Sequence, residues 1–191
     1  MNRAILIHGM PSKEEYYSPS TLDSQSNSHW LPWLQQRLCQ QNILAQTPEM
    51  PSPFDPNYVA WKSEFDRLSP DENTLLIGHS CGGGFLVRWL SENPGKKVGK
   101  VVLVAPWIDV EGQYPNMFTF NLRGDIVNQV GNGIEVIYST DDKKPMQETL
   151  QKLQQITTGL TYHKFENYGH FTFGSMKTHE FPELLQICLG R

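Results

Sequence analysis

Residues 78–82 read GHSCG, which places Ser80 between two glycines in the spacing Gly-x-Ser-x-Gly. An apolar run, TLLI at 74–77, precedes this segment, and apolar residues at helical spacing follow it at 85–90. A strand, a tight turn and a helix in this order are typical of a nucleophile elbow, in which a strained backbone exposes a serine hydroxyl. The two glycines leave room for the turn. The pattern therefore predicts Ser80 as a nucleophile.

The residue after Ser80 is expected to act through its backbone. The predicted helix directs its N-terminus at the turn, so the amide of Cys81 can donate to negative charge that develops on a substrate oxygen. A thiol nucleophile at Cys81 is the less favoured interpretation, because the elbow exposes its central residue. Nucleotide binding does not fit the same glycines, since the segment lacks both Gly-Lys-Ser/Thr and the spacing G-x-G-x-x-G.

A serine hydroxyl needs two partners before it can attack a carbonyl carbon: a neutral imidazole that accepts its proton, and a carboxylate that orients the imidazole. In folds with this elbow, the acid and then the histidine follow the serine, each after a later strand. The predicted strand at 134–138 leads into Asp141 and Asp142, and the one at 160–165 leads to His170. His170 is therefore the predicted base. Spacing alone does not choose between the aspartates, one of which could simply cap the turn.

Six apolar segments predict the strands that carry these loops, at 4–7, 43–47, 74–77, 101–104, 134–138 and 160–165. Several are apolar at successive positions, as in strands covered by helices on both faces. Amphipathic segments between or after them predict helices, around 30–38, 85–90, 146–156 and 181–188. Strand and helix alternate without a break in composition, which predicts one doubly wound, parallel α/β domain over residues 1–191, with its site at the carboxyl ends of the strands.

Composition excludes several classes of function. The formal net charge is −4 and the basic residues are scattered, so nucleic acid is not an expected partner. The apolar run near the N-terminus is too short for a signal peptide or a membrane span, so we expect a cytoplasmic protein with no membrane contact. The three cysteines show no metal-ligand spacing and no disulfide framework, so no metal site is expected.

Two connections are longer than such a fold needs, at 10–28 and 107–133. Long loops are usually functional or flexible. The first leaves the end of a strand and is expected either to border a substrate site or to be a mobile surface loop. The second is rich in aromatic residues, which suits either a small flap over a pocket or core packing beneath a loop.

Taken together, these motifs resemble the small serine hydrolases of the retinoblastoma-binding protein nine and YdeN-like family, within the α/β-hydrolase superfamily. The resemblance covers nearly the whole chain. The segments that carry it are Ile7-His8-Gly9, HWLPWLQQRL at 29–38, LLIGHSCGG at 75–83, YSTDDKKP at 138–145 and KFENYGHF at 164–171.

The resemblance implies a six-stranded parallel sheet that lacks the first two strands of the superfamily. It implies that Asp142 is the catalytic acid and that the backbone amide of Met10 is the second oxyanion donor. It also implies hydrolysis of simple esters, in some relatives directed at peptides, without a metal or an organic cofactor. Two features depart from the family: the 10–28 loop is longer than expected, and Cys81 stands where a serine or a small apolar residue is expected.

The function predicted from these observations is serine hydrolysis of small carboxylic esters or amides, with Ser80, Asp142 and His170 as the triad and an acyl-enzyme intermediate. The chain leaves no space for a large cap domain, so a shallow site is expected. Its predicted lining is Met10, Trp107, Tyr168 and Phe171. Thioesterase and acyltransferase activities stay open. The alternative function is a protein-binding module in which a hydrolase site is weakly active or vestigial.

Overall fold

The computed structural model describes residues 1–21 and 23–191. It contains one sheet of six strands: β1 Arg3–Ile7, β2 Leu44–Gln46, β3 Thr74–His79, β4 Lys100–Val104, β5 Ile134–Ser139 and β6 Leu160–Phe165. The strands lie in the order β2-β1-β3-β4-β5-β6, and every neighbouring pair is parallel. The six strands predicted from apolar segments are confirmed, and their ends differ from the predicted ones by no more than two residues.

Within the described residues, eight helices connect or follow the strands: α1 Lys13–Tyr16, α2 Leu31–Gln40, α3 Tyr58–Asp66, α4 Cys81–Glu92, α5 Pro115–Phe118, α6 Lys144–Ile156, α7 Phe173–Met176 and α8 Pro182–Leu189. Four of them, α2, α4, α6 and α8, confirm the predicted helices. The sequence-based prediction lacks α3, although Asn57 gives a start signal for it. The Asn57 side chain accepts hydrogen bonds from the amides of Val59 and Ala60, which otherwise have no partner in the first helical turn.

Several strands have apolar residues at successive positions because helices cover both faces of the sheet. Side chains on one face of β1, β3 and β4 pack with α3, α4 and α6. Side chains on the other face pack with α2 and α8. All six residues of β3 are buried. Burial on two faces explains why hydrophobic residues occupy successive positions instead of alternating.

Parallel pairing brings the carboxyl ends of the strands to one edge of the sheet. β1 pairs with both β2 and β3, so the chain leaves β1 toward one side for β2 and returns to its other side for β3. Such a reversal opens a crevice between the loops that follow the two strands. Met10 follows β1 and Ser80 follows β3, so both lie at this crevice.

The two long connections are partly ordered by short elements. The predicted 10–28 loop contains α1 and a 3-10 segment, Gln25–Asn27, and residue 22 in it lies outside the described residues. The 107–133 connection contains α5, whose Met117 and Phe118 are buried in the core. At these two residues, core packing is therefore favoured over a flap above a pocket. In the ranges described, no helix combines the length and apolar character needed to cross a bilayer.

Candidate active site

Ser80 lies on a strained turn between β3 and α4, with φ 53° and ψ −118°. The turn brings the start of α4 against two strands. A Cβ atom on Gly78 would lie 2.6 Å from the carbonyl oxygen of Gly82, and one on Gly82 would lie 2.3 Å from the carbonyl oxygen of Ile7. No larger residue fits without moving the backbone, so both glycines of the motif are needed for close approach.

The Ser80 hydroxyl contacts His170, and His170 contacts Asp142. The distance from Ser80 Oγ to His170 Nε2 is 2.8 Å, and His170 Nδ1 lies 3.0 Å from each carboxylate oxygen of Asp142. Because Nδ1 faces a carboxylate, it carries the ring proton and donates it, which leaves the Nε2 lone pair free to accept from the serine. The Asp142 side chain is only 3% exposed and that of His170 is 16% exposed.

The neighbouring Asp141 has a different set of contacts. Its carboxylate accepts hydrogen bonds from the Ser139 hydroxyl and from the Gly169 amide, the latter at 3.2 Å to each oxygen. These bonds, that from Ser139 above all, lower the pKa of Asp141 from its ordinary value. Asp141 therefore ties the loop after β5 to the loop after β6, while Asp142 is the aspartate that faces the imidazole.

Two backbone amides near Ser80, those of Met10 and Cys81, have no hydrogen-bond acceptor among residues 1–21 and 23–191. Cys81 is the first residue of α4, where an amide has no partner within the helix. The segment that leads to Met10 packs closely on the serine, since a Cβ atom on Gly9 would lie 3.3 Å from Ser80 Cβ. Unpaired amides on either side of a nucleophile are the arrangement expected of an oxyanion hole.

His8 fixes the peptide group that carries the Met10 amide. Its Nε2 accepts from the amide of Met50 at 2.9 Å, so its proton is on Nδ1, which donates to the Gly9 carbonyl at 2.7 Å. In a trans peptide, the Gly9 carbonyl and the Met10 N–H point in opposite directions. The bond to His8 thus turns the Met10 amide away from the core.

His79 and Trp30 hold the backbone of the loop that carries His170. His79 Nε2 donates to the His170 carbonyl at 2.8 Å, and the Trp30 indole donates to the Phe171 carbonyl at 3.0 Å. Sequence reasoning assigned no role to His8, His79 or Trp30. A polar residue at the end of an otherwise apolar strand, as for His8 and His79, is the signal that could have found two of them.

The two buried histidines predict a pH dependence of stability. Burial lowers the pKa of His8, and burial together with the charges of His170 and His29 lowers that of His79. The unfolded chain binds a proton at each below its ordinary pKa of about 6.5, whereas the folded protein does not, so stability is lost as pH falls. We expect the free energy of unfolding to decrease as the pH falls below the ordinary histidine pKa of about 6.5, with a slope of at most about 1.4 kcal/mol per pH unit for each histidine.

Urea unfolding between about pH 7 and about pH 5 measures this slope. His79→Gln should make the slope shallower, because one ring whose pKa is lowered by folding is gone; His8 and His29, whose pKa values are also lowered, remain. Equal free energies of unfolding across that range would show that folding does not lower the pKa of these rings.

Ser80 and His170 line two adjoining cavities. The larger, here called the polar lobe, has a volume of about 440 Å³, and its lining includes Glu15, Gln25, Ser28, His29 and Thr172. The smaller has a volume of about 240 Å³ and is here called the apolar lobe after Trp107, Pro145 and Met146 in its lining, which also includes Glu111 and Gln113. Met10 and Lys143 line both. Ser80 thus lies between two spaces whose linings contain different side chains.

The structure brings two of the four predicted lining residues, Met10 and Trp107, to this cleft. The expectation for Tyr168 and Phe171 is corrected. Phe171 is fully buried and stacks on Phe181 at 5.5 Å, since an aromatic ring gains more by joining the core than by facing water. Tyr168 also packs on Phe181, and it lines a separate cavity of about 360 Å³ whose lining includes neither Ser80 nor His170.

The six-stranded parallel sheet, with a serine on the turn after its third strand, defines an α/β hydrolase. This chain belongs to the serine hydrolase family, whose sequence model matches residues 19–186. The resemblance to YdeN-like hydrolases predicted from the motifs is confirmed.

Among known proteins, the chain is similar to the hydrolase YdeN of Bacillus subtilis (strain 168), with 34% identity over 88 residues. That alignment covers 43% of this chain and 45% of YdeN, so it spans less than half the length of this relative. The crystal structure of the B. subtilis ydeN product superposes with a TM-score of 0.76 at 23% identity, covering 100% of this chain and 98% of that one.

Two further solved structures share the fold. A YdeN-like hydrolase from Pectobacterium atrosepticum has a TM-score of 0.67 at 16% identity, covering 98% of this chain and 90% of its own. Est1E from Butyrivibrio proteoclasticus with bound ferulic acid has a TM-score of 0.67 at 10% identity, covering 98% of this chain and 86% of its own.

Proposed function

We propose that the protein hydrolyses small carboxylic esters or amides through a covalent acyl-enzyme on Ser80. The observation that carries this proposal is the continuous chain of hydrogen bonds from Ser80 Oγ to His170 Nε2 at 2.8 Å and from His170 Nδ1 to Asp142 at 3.0 Å. Membership of the serine hydrolase family supports it.

In the first half of the reaction, Ser80 Oγ attacks the substrate carbonyl carbon and His170 Nε2 takes the hydroxyl proton. Negative charge develops on the carbonyl oxygen, where the amides of Met10 and Cys81 donate to it. The bond to the leaving group then breaks, and His170 returns the proton to the departing oxygen or nitrogen. Asp142 stays ionised throughout and stabilises the imidazolium.

In the second half, a water molecule takes the place of the leaving group. His170 Nε2 accepts a proton from this water as it attacks the acyl carbon, and the bond to Ser80 Oγ breaks with return of the proton to the serine. The products are a carboxylic acid and the free enzyme. The same residues therefore serve both steps.

Cys81 contributes its amide and not its thiol. The side chain is fully buried, and burial, with a smaller effect from the charge of Asp109, raises the pKa of its thiol. A thiol that stays protonated is a poor nucleophile. Its small, buried side chain lets the start of α4 pack under the elbow.

A fluorophosphonate probe tests the proposal, because it reacts with a serine only where the hydroxyl is activated. We expect mass spectrometry to find the label on Ser80 of the wild-type protein, and we expect none on Ser80→Ala and much slower labelling of His170→Ala. Hydrolysis of 4-nitrophenyl butanoate, followed in parallel, should show the same order.

A folded wild-type protein that neither takes the label nor hydrolyses any ester, thioester or amide offered would contradict the proposal. Circular dichroism of each variant provides the control for folding. That outcome would favour the alternative of a protein-binding module that retains a hydrolase fold, which a search for partners of Ser80→Ala would then test.

A further inference from the structure

We propose that the polar lobe binds the leaving group of the substrate through His29, so that the preferred substrates are esters of alcohols that carry a second oxygen near the ester bond. This inference rests on the proposed function of Ser80. It adds a residue that determines specificity and a chemical class for one side of the substrate.

The hydrogen bonds of His29 determine where its proton lies. Its Nδ1 accepts from the backbone amide of Phe173 at 3.2 Å, so the ring proton is on Nε2. Within the described part of the chain, Nε2 has no hydrogen-bond partner, and the ring lines the same cavity as Ser80 and His170. His29 therefore presents an N–H donor to the polar lobe.

The charge state of His29 supports the same role. Burial, and then the charges of His170 and His179, lower the pKa of His29 to about 4. The ring is therefore neutral near neutral pH, so it offers a donor without adding a positive charge next to the imidazolium that forms during the reaction.

His29 is also fixed in position. Its carbonyl accepts from His179 Nδ1 at 2.6 Å, and the His179 ring stacks on Phe173, whose amide contacts His29. Its backbone has a φ of 56°, in the left-handed region. A donor held at both its ring and its backbone loses little freedom when a substrate binds, which favours selectivity.

The two lobes can be assigned to the two sides of the ester bond. The polar lobe continues along the residues that follow His170, because Thr172 and Gly174 are part of its lining. A leaving group placed there lies beside the imidazole that must return a proton to it. The apolar lobe then takes a short acyl chain, whose contact with Trp107, Pro145 and Met146 is favourable and which leaves Glu111 and Gln113 at the solvated part of the lining.

Two esters with the same acyl group and leaving alcohols of equal size test the inference: 2-hydroxyethyl butanoate and propyl butanoate. The first carries a hydroxyl where the second carries a methyl. We expect wild-type kcat/KM to favour the hydroxyethyl ester by roughly three- to tenfold, the range for one hydrogen bond. The measurement is hydrolysis of both esters by the full-length protein, followed by titration of the released acid.

Two substitutions separate the donor from the structural role of the ring. In His29→Asn the side chain suits the left-handed backbone and its oxygen can still accept from Phe173, but it does not reach the lobe. We expect the preference for the hydroxyethyl ester to disappear. In His29→Gln the longer amide carries an N–H near the position of Nε2, and we expect part of the preference to return. His163→Gln, on β6 and outside both lobes, should keep the wild-type ratio.

The outcomes distinguish this inference from the function on which it rests. If the fluorophosphonate labels Ser80 and both esters are hydrolysed without preference, the assignment of the polar lobe is wrong while the hydrolase mechanism stands. If His29→Asn lowers hydrolysis of both esters equally, His29 is structural and the inference fails. If Ser80 takes no label, the proposed function itself fails, and the inference with it.

Discussion

Asp142→Asn is expected to lower kcat for ester hydrolysis about ten-thousandfold, with little change in KM, as removal of the orienting carboxylate does in other serine triads. The carboxylate lies 3.0 Å from His170 Nδ1 and is almost fully buried. An amide there can donate to Nδ1, which favours the tautomer whose proton is on Nε2, and this tautomer cannot accept from Ser80. Steady-state hydrolysis of 4-nitrophenyl butanoate measures the effect.

Asp141→Asn is the matched control, since it makes the same chemical change one residue away. The Asp141 carboxylate contacts Ser139 and Gly169 and not the imidazole. We expect this variant to keep kcat within about tenfold of wild type and to be less stable, because only the tie between two loops is weakened. A larger loss of kcat in Asp141→Asn than in Asp142→Asn would show that the acid is wrongly assigned.

Gly84→Ala is expected to lower the free energy of unfolding by about 3 kcal/mol, at the upper end of what overpacking costs. The new Cβ atom would lie 1.8 Å from the carbonyl oxygen of Trp107 and 2.8 Å from Phe118 Cε1. The Trp107 backbone has little freedom to move, because its amide donates to the Ser80 carbonyl at 3.1 Å. Urea unfolding followed by tryptophan fluorescence measures the change.

Gly95→Ala provides the comparison, because nothing lies within 4 Å of a Cβ atom at that position. The same added methyl group should change the free energy of unfolding by no more than about 1 kcal/mol and could raise it, since alanine restricts the unfolded chain. Equal urea midpoints for the two variants would mean that α4 can shift away from Trp107 at little cost.

The strands and the elbow could be predicted from sequence because local patterns determine them. Each strand is an apolar run between polar loops. The serine and the two glycines that the elbow needs lie within five residues, 78–82. The order of the later loops then leads to His170. In these segments, the local sequence pattern and the overall fold favour the same structure, so one sequence is sufficient to predict it.

The acid could not be chosen from the residues alone. Asp141 and Asp142 are adjacent, and their directions depend on a turn that Ser139 and Gly169 help to shape. Here the resemblance to known hydrolases favoured Asp142, which is the aspartate that contacts His170.

The surroundings of Ser80, Asp142 and His170 were also harder to predict, because they depend on contacts between distant parts of the chain. Phe171 follows His170 directly, yet its ring packs in the core against Phe181, ten residues further on. The roles of His8, His29 and His79 depend on partners up to 150 residues away in the chain. Contacts at that separation follow from tertiary packing, which periodicity and spacing do not encode.

The hydrogen bonds that His79 and Trp30 donate to the carbonyls of His170 and Phe171 have a thermodynamic consequence. A base on a surface loop would ordinarily lose conformational entropy each time it was positioned for proton transfer. In this protein, that entropy has already been lost when the chain folds, because Trp30, just before α2, and His79, at the end of β3, hold the loop in place by these hydrogen bonds. Substrate binding can then contribute to orienting the scissile bond, and the activation entropy of the first step should be correspondingly small.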